Sequence, residues 1–285
     1  MAQVEIFART EVGNVRARNE DRFLVINLAT GDRSLQPSSR IQTIAPSGTL
    51  LAVCDGMGGA AGGDVASAMA VDVLAREMAA VSPFATQEAA QQSLLHAVRE
   101  ANRAILEAAA RAPELRGMGT TVTAALVFGT TLAIAHVGDS RAYLRRGRIL
   151  QQLTTDHSVV GQMVAAGRIT PEAARGLDNR NVLLQALGVM PKIGAELVVA
   201  ELRAGDVLLL CSDGLSTPLP DDAIVDLMLR HEDPMRCCRG LTEAACAAGG
   251  PDNVTVVLAR FTGEGLDLPH GREPVTLQRK QITVG

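Results

Sequence analysis

Apolar residues fall into two patterns along the chain. Short apolar or alternating runs predict strands at 3–8, 22–27, 50–54, 119–128, 131–137, 141–145, 149–153, 196–202, 206–212 and 252–261. The run at 50–54 is apolar throughout, as suits a strand covered on both faces. Apolar positions at helical spacing predict helices over 64–80, 87–110, 220–230 and 234–248. Leu94, Leu95, Val98, Ala101, Ile105 and Leu106 form one stripe of the second helix. Gly129-Thr130 fits a hairpin turn, and Pro171 fits a first helical turn capped by Thr170. Residues 29–48 read as a loop and 158–190 as irregular, partly helical chain. Residues 262–285 are polar and lack a helical stripe, as in a disordered tail or an added edge strand. The order strand, helix pair, meander, helix, strand, helix pair, strand predicts one α+β domain over 1–261, helices packed on sheets.

Composition narrows the class. Of the 285 residues 47% are hydrophobic but only 2% aromatic, with no Trp, so the core must be built from Ala, Val, Leu, Ile and Met. A net charge of -4 and the lack of stacking aromatics argue against nucleic acid as a partner. Cysteines at 54, 211, 237, 238 and 246 are odd in number and form no Cys-x-x-Cys, which points to a reducing cytoplasm rather than disulfides or zinc. No leader pattern opens the chain, and no run reaches the ~18 apolar residues of a membrane span. A soluble, cytoplasmic protein without a membrane partner is expected.

The chemistry lies where apolar runs stop. Residues 50–54 run into Asp55-Gly56, 207–212 into Asp213-Gly214, and 132–137 through Gly138 into Asp139. Asp252-Asn253 precedes the last strand. One such Asp is a turn residue. Four at strand edges, if the edges meet, form a like-charge cluster that cannot stay ionised without a cation. The donors are all oxygen, which favours Mg²⁺ or Mn²⁺ ahead of Ca²⁺ or Zn²⁺. Two such ions ~3.5–4 Å apart can activate a bridging water for in-line attack on phosphorus. Arg16 can offer a bidentate guanidinium to a phosphate, and Glu20 or Asp21 can hold a metal-bound water from behind the ligands. The bland alternative for Arg16 and Arg18 is a solvated ion-pair loop.

Together these residues form an ordered set. Arg16-Ala-Arg-Asn-Glu-Asp21, Asp55-Gly-Met-Gly-Gly59, Gly119-Thr-Thr121, Val137-Gly-Asp-Ser-Arg141, Asp156-His157, Cys211-Ser-Asp-Gly-Leu215 and Gly250-Pro-Asp-Asn-Val254 resemble the motif series of bacterial PP2C-type (PPM) protein phosphatases. The resemblance spans residues ~5–261. It implies a four-layer α-β-β-α sandwich and metal-dependent hydrolysis of phosphoserine and phosphothreonine by a metal-bridging water, opposing a Ser/Thr kinase. By motif, Asp55 would bridge two core Mn²⁺ or Mg²⁺ ions, the Gly56 carbonyl would bind one, and Asp213 and Asp252 would hold the other. Asp139 with Asp213 would form a third site, Arg16 would bind the substrate phosphate, and Glu20 and Asp21 would lie near metal-bound water. The partners implied are phosphorylated proteins and a cognate kinase, with the enzyme a monomer.

Two departures stand out. Met57 occupies the place where eukaryotic relatives often carry His, so the leaving oxygen would be protonated by a metal-bound water. Residues 158–190 match the flap of bacterial members, but Arg175-Gly-Leu-Asp-Asn-Arg-Asn181 lacks the expected His-Pro pair. The alternative to an enzyme is a weakly active module of the same fold that binds phosphoproteins; the full set of carboxylates argues against it.

Overall fold

The apolar run at Thr49–Cys54 forms a strand, β4, whose alternate side chains enter two different cores. Leu50, Ala52 and Cys54 point one way and Leu51 and Val53 the other. This period-2 split is what a strand sandwiched on both faces requires. The computed structural model describes residues 1–35, 40–58, 62–177, 182–271 and 273–285. Gly59 of the Asp-Gly motif and residues 178–181 of the expected flap lie outside the described residues.

Around β4 the other strands are β1 (Gln3–Glu11), β2 (Arg22–Asn27), β3 (Ile41–Thr43), β5 (Gly56–Met57), β6 (Gly119–Thr120), β7 (Val122–Phe128) and β8 (Thr131–Val137). They continue with β9 (Arg141–Arg146), β10 (Ile149–Gln152), β11 (Ile193–Glu201), β12 (Val207–Cys211), β13 (Val254–Thr262) and β14 (Leu277–Val284). Two six-stranded sheets result, in the orders β10-β9-β12-β13-β1-β3 and β14-β11-β8-β7-β4-β2, and β5 pairs with β6 alone. The pairings within them are antiparallel.

Helices α1 (Gly62–Val81) and α2 (Gln87–Arg111) cover the β4 sheet, and α6 (Asp221–Arg230) and α7 (Pro234–Ala247) cover the other. The remaining helices, α3 (Val159–Ala165), α4 (Pro171–Arg175) and α5 (Asp213–Ser216), are short. Three apolar layers therefore stack: helix on sheet, sheet on sheet, sheet on helix. The middle layer takes Leu208 and Leu210 of β12 and Val257, Ala259 and Phe261 of β13. The opposite faces of those strands, Leu209, Cys211, Val256 and Leu258, meet α6 and α7. The architecture is the α-β-β-α sandwich of two antiparallel sheets flanked by helices. Helix ends fall where their caps dictate: Thr86 accepts from Ala89 N (3.1 Å), Thr170 from Ala173 N (3.2 Å) and Asp233 from Arg236 N (2.8 Å).

The 29–48 loop gains a short strand, β3, on the edge of β1. Residues 262–285 are not a disordered tail throughout: β14 pairs along β11 from Ala200↔Leu277 to Ile193↔Val284. Its pattern hides this, because Gln278–Gln281 face solvent and only Val284 is buried. Backbone pairing, the packing of Leu277, Ile282 and Val284 against the apolar layers, and an ion pair hold it. Arg279 on β14 gives 2.9 Å to Oε1 of Glu196, a carboxylate of 2% exposure that also accepts from Thr155 N (2.8 Å) and Thr155 Oγ1 (3.0 Å). Removing Arg279 leaves a buried carboxylate without its cation, although Arg279 is itself more than a third exposed. We expect Arg279→Ala to cost about 1–3 kcal/mol in urea denaturation, and deletion of residues 277–285 to cost more. Unchanged unfolding midpoints in both would remove β14 from the folded unit.

Candidate metal centre

The sheet registers bring the acidic strand ends to one edge of the sandwich. Arg22 pairs with Cys54, so Asp21 and Asp55 sit side by side beyond that pair. Cys211 pairs with Val256 and with Arg141, and Glu11 with Val254, which draws Asp213, Asp252 and Asp139 to the same end. Gly138 makes the turn out of β8 with φ +114°, and a Cβ there would lie 2.6 Å from Thr121 Cβ. Gly56 lies against the carbonyls of Gly63 and Glu20, where any side chain would collide.

The carboxylates feel one another. Burial first, then Asp21, Asp213, Asp139 and Asp252, push the Asp55 carboxyl well above its ordinary range. Burial followed by Asp213 and Asp156 does the same to Asp139. Asp213 is pushed up to about 6 by burial and by Asp252. Asp21, 1% exposed, is pushed up to about 7, chiefly by burial. Glu20 is raised by burial and by Asp64.

Arg16 sits beside this group, its Nη2 2.7 Å from Asp252 Oδ2. The hydrogen bond to Asp252 and that carboxylate's charge raise its pKa. The guanidinium remains about half exposed, with donors to spare.

The supporting residues are neutral, and all but Ser212 grip backbone. Asn253 donates to Val12 O (2.8 Å) and Arg18 O (2.9 Å) and accepts from Glu20 N (2.8 Å), tying the Arg16–Asp21 loop to the Asp252 turn. Thr121 N donates to Asp55 O (2.9 Å), Asp55 N donates to Thr121 Oγ1 (3.0 Å), and Thr120 Oγ1 donates to Asp55 O (2.9 Å). Ser212 Oγ donates to Asp21 Oδ2 (2.7 Å). His157 N donates to Gly138 O (2.7 Å), fixing the Asp139 turn. Sequence reasoning missed Asn253, Ser212 and the hold of Thr120 and Thr121 on Asp55. The available signal was position alone, since each is the immediate or near neighbour of an acidic residue or motif.

A divalent cation fits this set. Asp213 Oδ1 and Asp21 Oδ1 are buried with no hydrogen-bond partner, and the donors are all hard oxygen. Among the described residues no three Asp, Glu, His or Cys side chains close into a ready-made cage.

The sequence profile of the family described as protein phosphatase 2C matches residues 39–244. The serine/threonine phosphatase Stp of Listeria monocytogenes is 35% identical over 261 residues, covering 91% of this chain and 97% of that protein. The serine/threonine protein phosphatase PstP of Mycobacterium tuberculosis is 41% identical over 234 residues, 81% of this chain but 44% of that longer protein. Among solved structures, the catalytic domain of PstP in complex with two manganese ions superposes with a TM-score of 0.76 at 38% identity, covering 92% of this chain and all of that one. Fold and strand-end carboxylates thus define a PP2C-type sandwich, and the chain belongs to the protein phosphatase 2C family.

The crowding has a pH signature in metal-free protein. Asp21 and Asp213 hold protons in the folded state at about 7 and about 6, above the ~4 of unfolded aspartate. Their favourable contribution is complete below ~pH 4 and is lost as pH rises through those values. With chelator present, melting temperature should therefore fall between about pH 5 and pH 8, and Mn²⁺ should raise it more at the upper end. A metal-free melting temperature that is flat or rising over that interval would contradict the crowding.

Proposed function

We propose that this chain is a Mn²⁺- or Mg²⁺-dependent phosphatase of phosphoserine and phosphothreonine in proteins, opposing a Ser/Thr kinase in the cytoplasm and working as a monomer. The observation that carries the reading is the convergence of Asp55, Asp139, Asp213 and Asp252 with a buried, unpartnered Asp213 oxygen and Arg16 alongside. Relatives named serine/threonine phosphatases support it, as does the two-manganese PstP structure. Among the described residues no helix is long and apolar enough to cross a membrane.

In this reading Asp55, the Gly56 carbonyl, Asp213 and Asp252 hold two ions, and Asp139 with Asp213 holds a third. Paired divalent ions supply Lewis acidity and lower the pKa of the attacking water. The chain's own residues supply position. Arg16 rests on Asp252 at 2.7 Å. About half exposed, Arg16 keeps N–H groups that would be donated to the substrate phosphate, while Asp252 would hold a cation. Asp21, fixed by Ser212, and Glu20, fixed through its backbone by Asn253, keep acceptor oxygens near the attacking water. Met57 has no proton to give, so the leaving oxygen takes its proton from solvent.

The direct test is hydrolysis of p-nitrophenyl phosphate and of a phosphothreonine peptide with and without Mn²⁺, against sugar phosphates as competitors. Metal-stimulated turnover that favours the peptide is expected; turnover of sugar phosphates alone would replace the protein substrate with a metabolite. Asp55→Ala should lower metal-dependent turnover by about 10²-fold or more while leaving the metal-free melting temperature equal or higher, because it relieves like-charge crowding. Near-native turnover in that variant would take Asp55 out of the site. Asp139→Ala should reduce activity yet keep two ions bound in calorimetric titration, and loss of all binding would reassign it to the core pair.

A further inference from the structure

Beside the acidic cluster the structure holds a cavity of about 330 Å³, with Asp139 and Asp213 at one end. Its outer wall is apolar: Val160, Val164 and Ala165 on α3, Pro171 and Ala174 on α4. Its inner wall is polar and rigid. Arg141 donates from Nε (2.9 Å) and Nη2 (2.7 Å) to the two oxygens of Asp156, and from Nη1 to Tyr143 OH (2.9 Å). Tyr143, fully buried, donates in turn to Asp221 Oδ1 at 3.2 Å.

The charges decide what can enter. Four carboxylates line the cavity, Asp139, Asp156, Asp213 and Asp221, and Arg141 is the one cation among the described lining residues. Arg141 is engaged by Asp156 and Tyr143, so an incoming carboxylate would find no free cation among the described lining residues and would face like charge. Asp139 and Asp213 belong to the metal centre in the reading above. That leaves Asp221, at the exposed first turn of α6, one oxygen engaged by a neutral hydroxyl, as the group that can receive a positive charge. A wholly apolar guest would cover the outer wall but desolvate Asp221 and the hydroxyls of Ser216 and Thr217. A long side chain with an apolar stem and a cationic head matches both walls, stem along α3 and α4, head at Asp221.

We propose that this cavity receives a lysine or arginine side chain one or two residues from the phosphorylated residue, making the protein selective for phosphosites with a basic neighbour. The proposal rests on the phosphatase reading above. One or two extended residues span ~3.5–7 Å, and Asp139 and Asp213 line both the cavity and the acidic cluster, so a neighbour of the phosphorylated residue lies close to the cavity.

The test compares kcat/KM on phosphothreonine peptides that differ only in Lys, Ala or Glu at each of the two positions on either side of the phosphothreonine, with p-nitrophenyl phosphate as a substrate too small to use the cavity. Lys at one of these positions should exceed Ala by about fivefold or more, with Glu below Ala. Asp221→Asn, which keeps a hydrogen-bonding side chain on an exposed helix turn, should shrink the Lys preference, and Ala165→Trp, which fills the cavity, should abolish it. Both variants should hydrolyse p-nitrophenyl phosphate at the parent rate. Equal kcat/KM for Lys, Ala and Glu at every position, with p-nitrophenyl phosphate still hydrolysed, would overturn the cavity assignment alone. A preference unaltered in both variants would overturn it as well. Inactivity on p-nitrophenyl phosphate and on every peptide would instead overturn the phosphatase reading on which it rests.

Discussion

Mutual repulsion among buried carboxyls is the constraint to which the rest of this structure answers. Asp55, Asp139, Asp213 and Asp21 all sit where burial and one another's charge oppose ionisation. Left to a flexible chain they would move apart. They stay together because each is anchored to the end of a paired strand: β4, β8 and β12, which lead into Asp55, Asp139 and Asp213, are buried along their whole length, and slipping any of them by one residue would turn its apolar set into the wrong layer, while Asp21 opens β2 beside β4. The apolar layers therefore do more than stabilise the fold. They hold charge density at one edge at a level that protons or divalent ions must offset.

The scaffold fixes these acids largely through backbone, with Arg16 on Asp252 and Ser212 on Asp21 as contacts to the carboxylates themselves. Asn253 spends its amide on the backbone of Val12, Arg18 and Glu20. Thr120 and Thr121 hold Asp55 by its main chain, and His157 holds Gly138 beside Asp139 in the same way. Had those donors been aimed at the carboxylates, the site would be more stable without metal and poorer as a ligand set. Asp213 keeps a buried oxygen with no partner. Strain relieved only by a cation is a form of preorganisation, with the energetic cost carried by the fold rather than by the moment of binding.

Much of this was legible in the sequence because burial and chemistry share one signal there. An unbroken apolar run says central strand, and the acid that ends it says that the strand stops at a charged edge, as at Cys54-Asp55 and in the run that ends at Ser212-Asp213. The helices α1, α2, α6 and α7 were legible from the spacing of their apolar positions. What stayed hidden were interactions set by register rather than by local pattern. Asn253 reaches Val12 across 241 positions, and Ser212 reaches Asp21 across 191. Before folding, both read as ordinary turn or strand-end polar residues. β14 was ambiguous for a different reason: an edge strand exposed on both faces over Gln278–Gln281 carries no alternation there, so Arg279 and Glu196 could be matched only once the sheet was assembled.

The two sides of the cavity differ in how firmly they are built, and the difference bears on how one active edge can serve many phosphoproteins. The Arg141, Asp156 and Tyr143 wall stands on β9 and the turn after β10, in the packed body of a six-stranded sheet, with each guanidinium nitrogen committed. The facing wall is α3 and α4, in which Val160 is the one buried residue of α3 and the described side chains of α4 are exposed or half-buried. Little apolar area holds such helices down, so their local opening costs far less than disturbing the sheets. A site with one fixed, charged wall and one thinly anchored, apolar wall reads charge strictly and shape loosely. In the proposed reading, that combination would admit side chains of varied shape beside a phosphate held by the carboxylate-bound ions and Arg16.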